Sequence, residues 1–229
     1  MSIFRTVEVS CPSCEASVSF NLVHSVNADR RPDLRESILN RSFQRQPCPS
    51  CEYEFRIEPE FSYMDMRRGQ FIAVWPSQAA DDFESYEQRS RSSFEYAYGA
   101  DSPPEAQDIG RLLTPRLVFG WIALNEKLIA QQAGIDDVVL ELAKLALIRT
   151  GTDGPGVGTG TELRLIGVEE EKLVLGWFPR GGEELTDVVA VSKDLLQEIE
   201  SQPDQWKELR DELANSYFVD YRRFYISVA

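Results

Sequence analysis

The sequence predicts an α+β protein: a zinc-ribbon-like N-terminal β lobe with a helical insertion, then an acidic α/β lobe with two helices, a β-hairpin and C-terminal helices and strand. Three observations carry this. Short runs of alternating apolar and polar residues flank two identical Cys-Pro-Ser-Cys tetrapeptides. Apolar residues recur at helical spacing through residues 121–149. Residues 162–168 and 172–178 alternate on either side of an acidic turn, as the arms of a hairpin do.

The elements follow in order. Residues 5–10 and 17–22 read as strands with the first cysteine pair in the turn between them. Pro32 opens a helix over residues 32–39, with Asp33 and Glu36 suited to its first turn and Leu34, Ile38 and Leu39 on one side. The second cysteine pair leads into a strand at residues 53–58, and residues 71–75 are a buried strand by their β-branched and aromatic content. Residues 78–110 lose any clear pattern, and Pro103–Pro104 interrupts regular structure. They are expected to connect two lobes, residues 1–77 and 111–229. Their aromatic residues, Phe83, Tyr86, Phe94 and Tyr96 among them, are too many for a solvated linker and become candidates for partner binding.

Trp121, Leu124, Leu128 and Ile129 then mark a helix ended by Gly134. Asp136 caps a second one with Val139, Leu142, Ala143 and Ala146 on one face. After the hairpin come a short strand at 188–191, a helix capped by Ser192, another begun by Pro203, and an aromatic tail, 217–228, read as a final strand.

Composition narrows the function classes. The chain has 229 residues and a net charge of −14. Residues 1–70 hold nine Arg against ten Asp or Glu, so nearly all the negative charge lies beyond them. Nucleic acid is an unfavourable partner for such a polyanion, because affinity for phosphate comes largely from Lys and Arg. The opening residues are mixed, with Arg5 and Glu8 among them, and do not read as a signal peptide. No run approaches the ~18 apolar residues that suggest a membrane span. A cytoplasmic protein without membrane insertion is expected, and in that reducing compartment paired cysteines point to metal or redox chemistry before disulfides.

The cysteines are Cys11, Cys14, Cys48 and Cys51, with none left over. A C-x-x-C turn aims two sulfurs at one point, and two such turns complete a tetrahedral four-sulfur site. Proline after the first Cys of each pair stiffens the turn. The spacer of thirty-three residues exceeds the usual ribbon interval of roughly 15–20, and the expected helical insertion accounts for the excess. One zinc ion is the expected occupant, with iron the chemical competitor. Four Cys ligands leave no open position for water, so the metal is expected to be structural. A thioredoxin-like redox pair needs only one C-x-x-C, and the duplication argues against it. Arg5, Arg45 and Arg56 lie near the ligand turns in sequence and are candidates to donate to the sulfurs.

With the doubled Cys-Pro-x-Cys, Ser25-Val26-Asn27-Ala28 and Pro32-Asp33-Leu34, the sequence resembles the CpXC proteins, a bacterial and archaeal family named for this motif. The likeness is strongest over residues 9–76 and weaker through 117–147. It implies a zinc-ribbon-like first lobe and no particular activity. Zinc knuckles usually carry Gly after the second Cys; here Glu15 and Glu52 stand there, so strained turns are expected.

Other motifs are weaker. His24 is the only histidine and reads as a surface residue. The run from Gly154 to Gly160 lacks the Gly-Lys-Ser/Thr ending of a phosphate loop. Asp136–Asp137 and Glu169–Glu171 fit caps and turns better than acid–base pairs. Arg30, Arg31 and Arg35 could dock an acidic partner, or pair with Asp29, Asp33 and Glu36. The leading expectation is a non-enzymatic zinc protein that acts by binding another, unidentified protein. An enzyme with its active site in the second lobe, and nucleic-acid binding by the ribbon, are the alternatives.

Overall fold

The computed structural model describes residues 2–151 and 160–226. Most of the glycine-rich run 154–160, and the end of the tail, lie outside them.

The chain begins with antiparallel strands β1 (Ile3–Ser10) and β2 (Ser17–Asn27), joined through the first cysteine turn. Helix α1 (Pro32–Leu39) follows as the Pro32 signal predicts, burying Leu34 and Ile38. Two three-residue strands, β3 (Arg45–Pro47) and β4 (Glu54–Arg56), pair around the second cysteine turn. Strands β5 (Phe61–Asp65) and β6 (Gln70–Trp75) form a hairpin whose turn closes at Gly69 with φ 64°.

The stretch expected to be a connection is helical: α2 (Phe83–Tyr98) and α3 (Pro104–Arg111). Helix α2 is amphipathic, but its face is written in aromatics and Ser90 instead of aliphatic residues, which hid the period. Phe83 and Phe94 are buried, and Tyr86 stacks edge-on against Trp75 with ring centroids 4.9 Å apart. A further strand, β7 (Thr114–Phe119), runs parallel to β6 and completes a five-stranded sheet in the order β1-β2-β5-β6-β7. The sheet thus takes strands from both sides of residues 78–110.

Gly120 makes the turn into the next helix with φ 83°, and a Cβ there would meet the Ser77 side chain at 3.3 Å. Helices α4 (Trp121–Gln132) and α5 (Asp137–Arg149) match the expected spans. The Asp136 carboxylate accepts from the Val138 and Val139 amides at 2.8 and 3.0 Å, a cap worth about 1 kcal/mol. Strands β8 (Thr161–Glu169), β9 (Lys172–Pro179) and β10 (Asp187–Ser192) form a separate antiparallel sheet, with β9 central. Helices α6 (Asp194–Ser201) and α7 (Pro203–Ala214) follow.

The tail departs from expectation. Among the described residues it pairs with no strand; it turns through residues 217–222 into a short helix, α8 (Arg223–Ile226). Its alternation is real, but Phe218, Val219 and Tyr221 are buried as anchors in two cores instead of along a sheet. A backbone bond from Leu117 N–H to Tyr217 O at 2.8 Å ties it to β7.

Apolar residues gather in distinct clusters. The largest joins α5, the β8–β9 hairpin, α6, α7 and the tail. A second joins β2, α1, β5 and β6 to Trp121, Leu124 and Leu128 of α4, so it draws on both expected lobes. Phe83, Leu117, Phe119 and Phe218 form a third. A small fourth cluster, Val18, Phe20 and Phe55, surrounds Cys11 and Cys48.

Candidate metal centre

Both cysteine turns have the same backbone. In the first, Glu15 N–H donates to Cys11 O and Cys11 N–H to Ala16 O, each at 2.9 Å. In the second, Glu52 N–H donates to Cys48 O and Cys48 N–H to Tyr53 O, again at 2.9 Å. Ser13 N–H and Ser50 N–H point at the first sulfur of each pair, 3.4 Å away. Glu15 and Glu52 have φ of 61° and 60°, the left-handed conformation that glycine takes without penalty. The strain expected from their identity is therefore present in the backbone.

The turns bring all four sulfurs within 4.8 Å of one another. Cys11 Sγ lies 3.7 Å from Cys51 Sγ, and Cys14 Sγ 3.7 Å from Cys48 Sγ. These are not disulfides, whose sulfurs sit about 2.05 Å apart. A tetrahedron of sulfurs bonded at about 2.3 Å to a central ion, as in zinc thiolate sites, has edges of about 3.8 Å. Two edges of the cage have that length, and all four sulfurs lie close enough together to reach one ion. Cys11 and Cys48 are buried while Cys14 and Cys51 are exposed, so each turn gives one inner and one outer sulfur.

Four neighbouring thiolates repel one another, and the protons leave them unevenly. The Ser50 backbone N–H is the main influence pulling Cys48 down to about 6, against the effect of burial. For Cys14 the Ala16 backbone N–H pulls downward, but hydrogen bonding to Cys51, burial, and bonds to Cys48 and Cys11 carry it up to about 12. A divalent cation relieves this repulsion and takes all four as thiolates.

The arginines expected to support the sulfurs are engaged elsewhere. Arg5 is exposed on β1 opposite Leu22, six residues from Cys11, or about 20 Å along a strand. Arg45 and Arg56 face each other at the far end of the β3–β4 pair, and both hold Glu183 from the loop after β9. Arg56 lies 3.7 Å over the ring of Trp121, whose Nε1 donates to Ile57 O at 2.9 Å. Burial, opposed by Glu183, lowers Arg56 to about 10. These arginines lock the metal-bearing end to α4 and β9. The donors that do reach the sulfurs are backbone amides, those of Ser13, Ser50 and Ala16 among them, which residue type alone cannot reveal.

The other candidates scatter. Arg35 is buried and pairs with Asp65 at 3.7 Å, because α1 packs its inner face on α4. It cannot meet a partner. Arg31 is exposed and pairs with Asp33, and Arg30 is exposed. Of the aromatic candidates, Phe83 and Phe94 face the protein's own core, Tyr86 is half-buried, and Tyr96 is 90% exposed. His24 is exposed on β2.

The sequence reading missed a second charged constellation. Glu126, Glu141 and Lys144 are fully buried, and Lys144 Nζ lies 2.8 Å from a carboxylate oxygen of each. Arg164 is equally buried and bridges Glu126, Glu162 and Asp220 at 2.7–2.9 Å. Arg222 also holds Asp220, at 2.9 Å. Burial opposes ionisation of Glu126, but Lys144 and Arg164 outweigh it and lower that group. Burial wins at Glu141, which rises to about 7 despite Lys144. The only signal in the sequence is the Glu141–Lys144 spacing on one helix and the Glu162–Arg164 alternation in one strand, and both look like solvent-facing patterns.

Two C-x-x-C turns, one on the long β1–β2 hairpin and one on the short β3–β4 pair, bring four cysteines together in a cluster that could hold a metal ion. The family model described as CpXC protein matches residues 9–144, more than half of the chain, and the protein belongs to the CpXC family. No curated protein and no solved structure gives a match. Among the described residues, no helix is long and apolar enough to cross a membrane.

Proposed function

We propose that the protein binds one zinc ion structurally through Cys11, Cys14, Cys48 and Cys51, and that it works without catalysis, by binding another protein. The observation that carries the metal reading is the 3.7 Å sulfur separation in a cage whose four sulfurs all lie within 4.8 Å. Four thiolates suit zinc and leave no coordination position for a substrate. Such a site holds its thiolates best in a reducing compartment, consistent with the cytoplasm. Elemental analysis of protein purified from its own cells should return one zinc per chain and no visible absorption. A coloured protein with one iron would replace zinc by the rubredoxin-like alternative, and less than half an equivalent of any metal would defeat the reading.

The partner reading rests on Tyr96, 90% exposed on α2, and Leu112, 64% exposed just beyond α3. Large apolar groups at such exposure are places where another surface could settle. Nucleic-acid binding would need a patch of open cations; Arg35, Arg45 and Arg56 are taken by Asp65 and Glu183, while the exposed Arg5 and Arg30 stand on separate elements. Affinity purification of the full chain should recover a specific protein whose yield drops with Tyr96→Ala. A monomer that retains nothing at near-physiological salt would count against this role.

A further inference from the structure

Three arginines converge where the metal-bearing end meets the rest of the fold. Arg45 and Arg56 stand opposite each other on β3 and β4 and share Glu183. Arg41, just past α1, lies over the ring of Phe178 on β9 at 5.4 Å, and its carbonyl accepts from Arg45 Nε at 2.9 Å. Glu183 acts on Arg41 as well, without pairing with it. Among the described residues no second carboxylate pairs with any of the three. Three guanidiniums against one carboxylate leave an excess of two positive charges, on a chain whose net charge is −14.

The excess lies where charge is expensive. The Arg56 side chain is 5% exposed and Arg41 is half-buried. Burial is the main influence lowering both groups, Glu183 opposes it, and repulsion from Arg45 adds to it. Buried charge is ordinarily matched by a partner. The network around Lys144 follows that rule, with Lys144, Arg164 and Arg222 each held by a carboxylate at 2.8–2.9 Å. Around Glu183 one carboxylate serves three cations. The ring faces of Trp121 and Phe178 attract the guanidiniums, but they supply no acceptor at the N–H edges.

Those edges are open. The Arg41 guanidinium makes no hydrogen bond among the described residues, and its nitrogens are not sealed from water. Arg56 spends Nη1 on the two Glu183 oxygens at 3.2 and 3.1 Å; its Nε is sealed and takes no part, but Nη2 is not sealed. Arg45 spends Nε on Arg41 O and Nη2 on Glu183, which leaves Nη1. A guanidinium carries five N–H donors, so each arginine keeps some for a ligand.

We propose that Arg41, Arg45 and Arg56 hold one phosphoryl dianion, carried on an ester or free in solution. Near neutral pH such a group brings a charge of about −1.5 to −2, which cancels the excess. Its three oxygens are strong acceptors, and guanidinium forks suit paired bonds to phosphate. A carboxylate would cancel only half of the charge. A nucleic-acid backbone needs a track of cations, and this is a single cluster on an acidic protein.

The test is calorimetric titration of the full-length protein, cleared of unbound metal, with inorganic phosphate and with O-phospho-L-serine, and with acetate as control. At least one phosphoryl probe should saturate with a Kd below about 1 mM. Tighter binding of O-phospho-L-serine would assign the site to a phosphorylated side chain, and tighter binding of phosphate to the free ion; both uphold it. Arg41→Gln and Arg45→Gln should each weaken binding by roughly tenfold or more, the effect of removing a hydrogen bond to a charged group. Arg41→Gln carries the test if Arg45→Gln loosens the β3–β4 pair, because the Arg41 guanidinium makes no hydrogen bond to lose. A Kd above about 1 mM for both phosphoryl probes would overturn the proposal. Acetate binding as tightly as phosphate would overturn it as a phosphoryl site, and unchanged affinity in both variants would overturn it by placing the ligand elsewhere.

Discussion

The two ends of this molecule solve the same problem by opposite means. Around the cysteines, strands β3 and β4 have three residues each, and the local apolar cluster is small. Strands of three residues bury little surface, and on the proposed reading the sulfur cage with its metal supplies what the β3–β4 pair lacks. Around α5 and the β8–β9 hairpin the apolar cluster is large enough to surround a set of buried ions. One region gathers four thiols that, on the proposed reading, a metal would take as thiolates; the other holds carboxylates already matched by Lys144, Arg164 and Arg222. The lesson is that burial of charge tracks the compensation available, not the size of the core.

Removing the metal should break the comparison most sharply. Structural zinc in small peptides contributes about 10–16 kcal/mol of apparent binding energy at neutral pH. A strong chelator should abolish amide protection around residues 7–20 and 45–57 and leave α5 and β9 protected, as read by hydrogen exchange. Loss of protection throughout would mean that the contacts of Trp121, Arg56 and Glu183 make one cooperative unit.

Lys144→Met attacks the other end. It leaves Glu126 and Glu141 buried without their shared cation, a change worth about 3–5 kcal/mol. The melting temperature should fall, with metal content unchanged. A variant as stable as the natural protein would show that Arg164 alone compensates both carboxylates.

The pH dependence of Glu141 is the next effect in size. Its folded value of about 7 lies above the ordinary carboxylate value of 4.5. Its contribution is therefore fully present below pH 4.5 and lost as pH rises through about 7. Glu141→Gln should gain on the natural protein across that window by up to about 3 kcal/mol in denaturant unfolding. A difference constant with pH would show that Glu141 is ionised throughout.

The smallest effect concerns the ligand turns. Replacing Glu15 or Glu52 by Gly removes left-handed strain of about 1 kcal/mol per residue, offset in part by glycine's greater freedom when unfolded. Each substitution should raise the melting temperature slightly at full metal load. A fall in either would mean that the glutamate side chain contributes more than its backbone costs.

The cysteine cage was readable from the sequence because its geometry is local: spacing within each tetrapeptide sets the turn, and the turn aims the sulfurs. Caps at Pro32 and Asp136 were readable for the same reason. What escaped depended on distant partners. Helix α2 hides its period because Phe83 and Phe94 find their contacts in Phe218 and Phe71. Strand β7 needs β6, forty-four residues earlier at the Gln70–Thr114 pair, to become a strand at all. Glu141 and Lys144 look like solvent-facing charges until Tyr221 and Glu126 close over them. Arg56 looked like support for a sulfur until Glu183 arrived from across the chain.

The unequal exposure of the sulfurs has a kinetic consequence. Cys11 and Cys48 lie within the apolar cluster, and Cys14 and Cys51 face water. An incoming thiol or chelator can approach a bound ion only from the outer pair, so exchange would proceed by displacement of Cys14 and Cys51 while Cys11 and Cys48 keep hold. Each hairpin would then retain one anchor at the half-exchanged stage, and an ion could be traded for another without the two hairpins parting.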